Sequence, residues 1–382
     1  MKIPHFNVVI VGSGVTGLSA AYFLHKGGAD KIAILNSHDI PSFSSRAANI
    51  LCGGLQDNFT RISNAHGIDF AKLMWSFSHN GFDNVLRYCR EYSLPFHKNR
   101  RIRLIVSESE LKEAEQAVKE LQSVGLEGGL YETDEFSSLG SLQKRVLAVQ
   151  DDGERGAWID TGAFLKSLKE HTAAFDIPTS LRSFERSKDG ITLFLSDGSE
   201  ISAEFIVLAC HQQIAKFLPS LKEALVTYAD QWSDVESSKH AAREEGIVFS
   251  AHHGYEWGVL KNKSLQFGGL RYLRKLAGIG AMVPSVEEKI KVELKKHLQQ
   301  TFTWAEQAKF THTEALIDIW PCDELPLIGP MFGEGRILLA TGYMGTGLSL
   351  GFQAGLCLAE LIRTGDCLQL PRRLWPERLR SL

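Results

Sequence analysis

Few features of this chain point outside small-molecule chemistry, and its absences are the first guide. No apolar run reaches the ~18 residues that a membrane-spanning helix needs, so no transmembrane segment is expected. The formal net charge is only −3 over 382 residues, which gives nucleic acid no electrostatic reason to bind. The six cysteines, at 52, 89, 210, 322, 357 and 367, form no C-x-x-C and no zinc-ligand spacing. They read as small buried hydrophobes in a reducing compartment, with no metal site and a cytoplasmic location expected. A strand-like run starts at Val8, so no cleavable signal peptide is expected ahead of it. There is no internal repeat, low-complexity tract or linker-like stretch. The length therefore predicts two interleaved domains.

What is present begins with Val8-Val9-Ile10-Val11, followed by Gly12-Ser13-Gly14-Val15-Thr16-Gly17 and the helix-like Leu18-Ser19-Ala20-Ala21. A strand, a G-x-G-x-x-G turn and a helix in that order predict a dinucleotide-binding turn. Gly12 makes the tight turn, Gly14 lets the backbone approach a pyrophosphate, and Gly17 lets helix pack on strand. The free N–H groups and the dipole of the helix start both favour an anion. A second strand, Lys31–Leu35, ends at Asn36, where such folds usually place an acidic residue for a ribose hydroxyl. Asn36 either accepts that bond through its amide oxygen or caps the strand end. Ser44-Ser45-Arg46 open a short helix before Gly53-Gly54, a pattern that fits a phosphate and a flat ring or a plain helix cap with a flexible loop.

Helical periodicity covers residues 70–90 and 108–124, with a strand over Ile102–Val106 between them. Helix Gly162–His171 and strands Thr192–Leu195 and Phe205–Ala209 follow. Residues 215–320 alternate charged helices, such as Pro284–Gln300, with aromatic and Gly-rich strands, Tyr255–Leu260 and Ser264–Leu270, and predict a mixed or antiparallel sheet. A strand over Arg336–Ala340 then leads into Thr341-Gly342-Tyr343-Met344-Gly345-Thr346-Gly347-Leu348 and an apolar helix through Ile362, a second electropositive helix start.

Two such turns at opposite ends of one chain resemble the D-amino-acid oxidase family of FAD-dependent oxidoreductases, whose members include glycine oxidase, sarcosine oxidase and the D-amino-acid dehydrogenases. The matching segments are Val9–Ala21, Ser44–Ala48, Asp160–Leu168, Asp197–Ala209, Asp323–Gly329 and Leu339–Leu356. The resemblance implies an α/β fold in which a Rossmann-type FAD-binding domain (1–85, 145–215 and 322–370) is interleaved with a mixed-sheet substrate domain (86–144 and 216–321), with a tail over 371–382. It implies non-covalent FAD held by Gly12, Ser13, Gly14, Val15, Thr16, Gly17, Asn36, Ser44, Ser45, Arg46 and the backbone of Leu181. Gly342, Tyr343, Gly345, Thr346, Gly347 and Leu348 would lie against the flavin. It implies oxidation of a C–N bond by hydride transfer to flavin N5, with 2-hydroxy-acid oxidation or a flavin-binding subunit of a larger dehydrogenase as the alternatives. A homo-oligomer or an electron-acceptor protein is the expected partner, beside the small-molecule substrate.

The chain departs from the family pattern where amino-acid-oxidising members carry an arginine that grips the substrate carboxylate. Here the run is Asp318-Ile319-Trp320-Pro321-Cys322-Asp323, and an indole cannot replace a guanidinium as an anion clamp. The substrate-pocket candidates are Arg271, His253, Tyr255, Trp320, Tyr343 and Met344. Arg271 either supplies a replacement carboxylate contact or is a solvated strand-end residue, and His253 and Tyr255 either line the same pocket or are sheet residues. Cys322 either attaches flavin or is structural. The tail Arg372–Arg380 is basic and is expected to be solvated or to make a subunit contact.

Overall fold

A computed structural model describes all residues except 1–2, 38–41, 140–141, 189, 237–243, 262–263 and 380–382. The chain divides into two compact units, Met1–Arg46 with Thr161–Val226 and Asp318–Leu382, and Ala47–Asp160 with Thr227–Ile317.

The first unit is built on parallel strands. Phe175–Ile177, Ile32–Leu35, His5–Val11, Glu200–Leu208 and Glu334–Thr341 lie side by side in that order, each parallel to the next. Leu327–Met331 adds antiparallel to the last of them, and a meander of Leu181–Ser187 and Gly190–Leu195 runs back from Glu200–Leu208. The inner strands are continuous Val, Ile and Leu runs because helices cover them. Val11 pairs with both Leu35 and Leu208, and Leu208 pairs with Leu339. The carboxyl ends of four strands therefore stand in one row, where sheets of this kind bind ligands.

Helix Val15–Lys26 packs along helix Gly347–Thr364 by means of glycine. A Cβ on Gly351 would stand 2.8 Å from Thr16 Oγ1, and one on Gly355 would stand 1.9 Å from Ser19 Oγ. The side chain missing at these two positions is what brings the two helix starts together. Helix Thr161–Glu170 adds Phe164 to the ring of Phe352, with centroids 5.7 Å apart.

The second unit carries a mixed sheet in the order Lys309–Pro321, Leu225–Glu236, Ser264–Gly269, Glu256–Lys261, Val248–Ala251, Arg101–Ile105, Ala148–Asp151, Gly129–Tyr131. Val248–Ala251 is parallel to Arg101–Ile105, and the neighbouring pairs on either side are antiparallel. Helix Glu288–Thr301 sets Ile290, Leu294 and Leu298 against Phe249, Phe267 and Phe302.

Two expectations change. Residues 47–85 and 145–160, expected with the dinucleotide fold, pack in the second unit. Ile50–Cys52 and Phe96–Asn99 both pair with Gly156–Ile159 in a small sheet of that unit. Conversely, residues 216–226 and 318–321 belong to the first unit, where Leu221, Ala224, Leu225 and Ile319 enter its core. The tail is solvated only in part: Arg372, Arg373 and Glu377 are exposed, and its other described residues pack within the first unit. Arg378 donates to Asp323 Oδ1 at 3.0 Å and to the Pro326 carbonyl at 3.1 Å, and Leu379 is buried. Arg380 lies outside the described residues. Among the described residues no helix is long and apolar enough to cross a membrane.

Candidate functional site

The turn after the first strand is closed by backbone bonds. Gly12 N donates to the Leu35 carbonyl at 3.0 Å and Ala209 N to the Val11 carbonyl at 2.9 Å. Gly12 has φ +111°, and a Cβ there would lie 2.4 Å from the Ala209 carbonyl oxygen, so only glycine passes this point. A Cβ on Gly17 would fall 2.0 Å from the Gly12 carbonyl. Gly14 is the N-cap of helix Val15–Lys26 and offers no side chain to its first-turn N–H groups, and that turn carries no acidic residue. Ser44 Oγ accepts from Val15 N at 3.1 Å. The result is a helix start with backbone donors, no negative charge and no side chain at Gly14, which is the donor set a pyrophosphate requires.

Asn36 stands at this turn. Its Oδ1 accepts from Ser13 Oγ at 2.7 Å, and its backbone N donates to the Ile177 carbonyl at 3.1 Å. Thr179 N bonds the same carbonyl at 2.8 Å, which draws the segment leading to Leu181 beside residue 36. Leu181 itself is buried, and its side chain belongs to the sheet core. Ser45 turns its hydroxyl to the Ser42 carbonyl at 2.8 Å. Arg46 ends the short helix Phe43–Arg46 and is half-buried.

The second turn is strained and buttressed. Gly342, Met344 and Gly345 have φ of +76°, +49° and +80°, and a Cβ on Gly342 would meet Pro321 Cγ at 2.4 Å. Thr346 Oγ1 bonds the Tyr343 carbonyl at 2.7 Å rather than capping the helix, so this helix also starts without a side-chain cap or an acidic first turn. Gly347 and Leu348 form its half-buried first turn, and Gly345 is exposed. Met344 is buried. Tyr343 reaches the other turn, with its hydroxyl 2.8 Å from Thr16 Oγ1. Burial raises the Tyr343 phenol above its ordinary value, against the opposing hydrogen bond from Thr16.

Asp318 and Trp320 alternate on the strand ahead of Pro321 and share a face, with Trp320 Nε1 donating to Asp318 Oδ2 at 3.4 Å. Pro321, on the other face of the strand by the same alternation, is the residue beneath Gly342. Cys322 N bonds the Ala224 carbonyl at 2.9 Å, and the Cys322 thiol is exposed.

Within the second unit, Arg271 and Tyr255 come together. The Arg271 guanidinium lies 4.8 Å from the Tyr228 ring centroid and 5.1 Å from that of Tyr255. His253 does not join them. It sits 2.7 Å from Arg61 and 3.5 Å from Glu113. Its neighbour His252 packs on Tyr255 and Tyr272 instead, at 5.9 and 5.1 Å between ring centroids. Both histidines have positive φ, +52° and +54°, and this turn parts their side chains. Behind the rings Glu256 is 1% exposed and bonds His297 Nδ1 at 2.8 Å and Arg145 at 3.1 Å. Burial opposes ionisation of Glu256, but these two partners outweigh it and hold its carboxyl below the ordinary value. Sequence reasoning missed His252, Tyr228, Tyr272 and Glu256. His252, Glu256 and Tyr272 lie close to Tyr255 or Arg271 along the chain, whereas Tyr228 comes from a distant strand and left no such signal.

The fold and this paired-turn geometry are those of a dinucleotide-binding protein. The chain belongs to the DAO family of FAD-dependent oxidoreductases, whose model matches residues 7–361. It is therefore an oxidoreductase with FAD as its cofactor. No curated protein sequence matches. Among solved structures it is similar to glycine oxidase from Geobacillus kaustophilus (TM-score 0.81, 15% identity, 97% of this chain and 98% of that one). It is also similar to L-proline dehydrogenase from P. horikoshii (0.79, 16%, 100% and 99%) and iminodiacetate oxidase from Chelativorans sp. BNC1 (0.75, 16%, 97% and 99%). At these identities the likeness is one of fold.

Proposed function

We propose that the enzyme oxidises a C–N bond of an amine, with non-covalent FAD held between its two glycine turns. FAD supplies a two-electron acceptor in its ring system when bound. In this reading the N–H groups at Gly14 to Gly17 meet the diphosphate, and Ser44, which already accepts from Val15, turns its hydroxyl proton to a phosphate oxygen. Asn36 faces the ribose while Ser13 fixes its amide. The Leu181 backbone borders the adenine, and Ser45 and Arg46 flank the diphosphate and ribityl chain. Gly342 to Leu348 present a helix start to the ring, where fixed dipoles stabilise negative charge.

The observation that carries the choice of substrate is the Asp318 and Trp320 pair, hydrogen-bonded to each other in the run where amino-acid-oxidising members of the family carry a carboxylate-binding arginine. A carboxylate with an aromatic face attracts a positively charged amine and repels a carboxylate. One observation favours N-substituted amino acids as a second reading. Arg271 sets its guanidinium against two tyrosine rings, which restrains the orientation of a planar group suited to a carboxylate.

The test mixes the FAD-loaded enzyme without oxygen with matched compounds that differ only in bearing an amine, an N-alkyl amino acid or a 2-hydroxy acid. Flavin bleaching by amines, with Asp318→Asn raising the half-saturating concentration about tenfold or more, supports the main reading. Bleaching by amino acids that is lost in Arg271→Ala supports the second. Bleaching by hydroxy acids alone refutes both.

A further inference from the structure

Between the turn at Arg271–Leu273 and helix Glu288–Thr301, the second unit carries a loop, residues 275–286, whose two ends are fastened together. Arg274 is buried, donates to Gln231 Oε1 at 2.9 Å and pairs with Glu287. Glu287 N donates to the same amide oxygen at 3.0 Å. The loop is also held along its length, since Gly280 N donates to the Thr227 carbonyl at 2.9 Å and Ile279 bridges Tyr228. Leu276 and Ala277 take left-handed backbone, at φ +50° and +53°. Both carry a side chain, so the fold maintains a conformation that costs energy.

What this braced loop presents is apolar. Leu276 is 74% exposed and Val283 77%, and Ile279, Met282 and Val286 are exposed as well. Lys275 and Ser285 are its only residues with a polar side chain. From Arg271 to Lys296 there are seven lysines and arginines against three glutamates, in a chain whose net charge is negative. Glu287, Glu288 and Glu293 pair with Arg274, Lys291 and Lys296. The exposed Lys275, Lys289 and Lys295 have no acidic partner among the described residues.

We propose that this loop docks the enzyme on an anionic lipid bilayer. Leu276, Ile279, Met282 and Val283 enter the boundary between headgroups and acyl chains, and Lys275, Lys289 and Lys295 meet lipid phosphates. The composition selects lipid over a protein partner. A protein interface carries roughly one hydrogen bond per 100–200 Å² and draws on aromatic and arginine anchors, whereas the loop has two polar side chains and no aromatic one. A bilayer asks only for apolar area and positive charge. The ties at Arg274 and Gly280 hold the loop in place before it binds, so little ordering remains to be done on docking.

The experiment sediments the full-length FAD-loaded chain with vesicles of phosphatidylcholine, alone or mixed with phosphatidylglycerol. Binding to the mixed vesicles is expected, weakened by added salt and weaker on phosphatidylcholine alone. Leu276→Asp with Val283→Asp should reduce that binding about tenfold or more. Lys275→Glu with Lys289→Glu and Lys295→Glu should also reduce it. All five positions are exposed, so flavin content and thermal midpoint should match wild type, which separates lost docking from lost folding. No binding of wild type to the mixed vesicles, or full binding by the Leu276 and Val283 variant, overturns the proposal. So does a dimer in lipid-free solution that the same variant dissolves, because the loop then belongs to a second copy of the chain.

Discussion

Thr16 and Tyr343 stand 327 positions apart in sequence, and their hydroxyls meet at 2.8 Å. The bond ties the two glycine turns of the first unit together. Tyr343→Phe should lower FAD affinity about threefold to tenfold, the worth of one buried neutral hydrogen bond. Thr16→Val in the same background should add little, because the pair acts as one unit. A double-mutant cycle by FAD titration measures this, and fully additive losses would disprove the coupling.

The glycine contact between the two helices sets a second expectation. Gly355→Ala places a methyl group where Ser19 Oγ lies 1.9 Å away and Ala20 N 2.7 Å away. The helices must part, at a cost of about 1–3 kcal/mol. A drop in the apoprotein's thermal midpoint of several degrees, with weakened FAD binding, is expected. Gly335→Ala, where a Cβ meets nothing within 4 Å, is the control and should leave both unchanged.

Asn36→Asp should tighten FAD binding. The Ser13 hydroxyl can donate to a carboxylate as it now does to the amide oxygen, and a charged acceptor strengthens bonds from ribose hydroxyls. Fluorescence titration should show affinity improved several-fold. Gly14→Val, in contrast, should abolish binding. An unchanged affinity in both variants would move the cofactor away from this turn.

His79 gives the protein an acid-side sensitivity. Burial, then the charges of Arg155 and Arg101, lower it to about 4. Its folded value thus lies below its unfolded one, so the stabilisation is present above the unfolded value of 6.5 and is lost as pH falls toward about 4. Urea midpoints of wild type should fall across this window. His79→Gln should flatten the fall, and an equal slope in the two proteins would exclude His79 as its source.

The glycine turns were legible because strand, turn and helix each leave a local mark. Val8 to Val11 reads as a buried strand, Gly12 to Gly17 as a turn, and Leu18 to Ala21 as a helix. The link from Tyr343 to Thr16 leaves no such mark, since it depends on how two distant helices pack. Arg101 and Arg103 are nearly fully buried, bound to the carbonyls of residues 53–57 and paired with Asp152. Nothing in the predicted strand over Ile102–Val106 marked them as buried, and their bonds tie residues 53–57 to that strand of the second unit. His252 and His253 were indistinguishable until their left-handed turn sent one to the tyrosines and the other to Arg61.

The central claim, oxidation of a C–N bond by an FAD enzyme, is tested most directly by a single turnover without oxygen. The FAD-loaded protein is mixed with one equivalent of whichever amine bleaches it fastest, and the quenched products are counted against reduced flavin. Equal amounts of reduced flavin, carbonyl product and released ammonia or amine are predicted, from oxidation to an imine and its hydrolysis. Flavin reduction with the C–N bond of the recovered product intact, or no reduction by any amine in a protein full of FAD, would contradict the account.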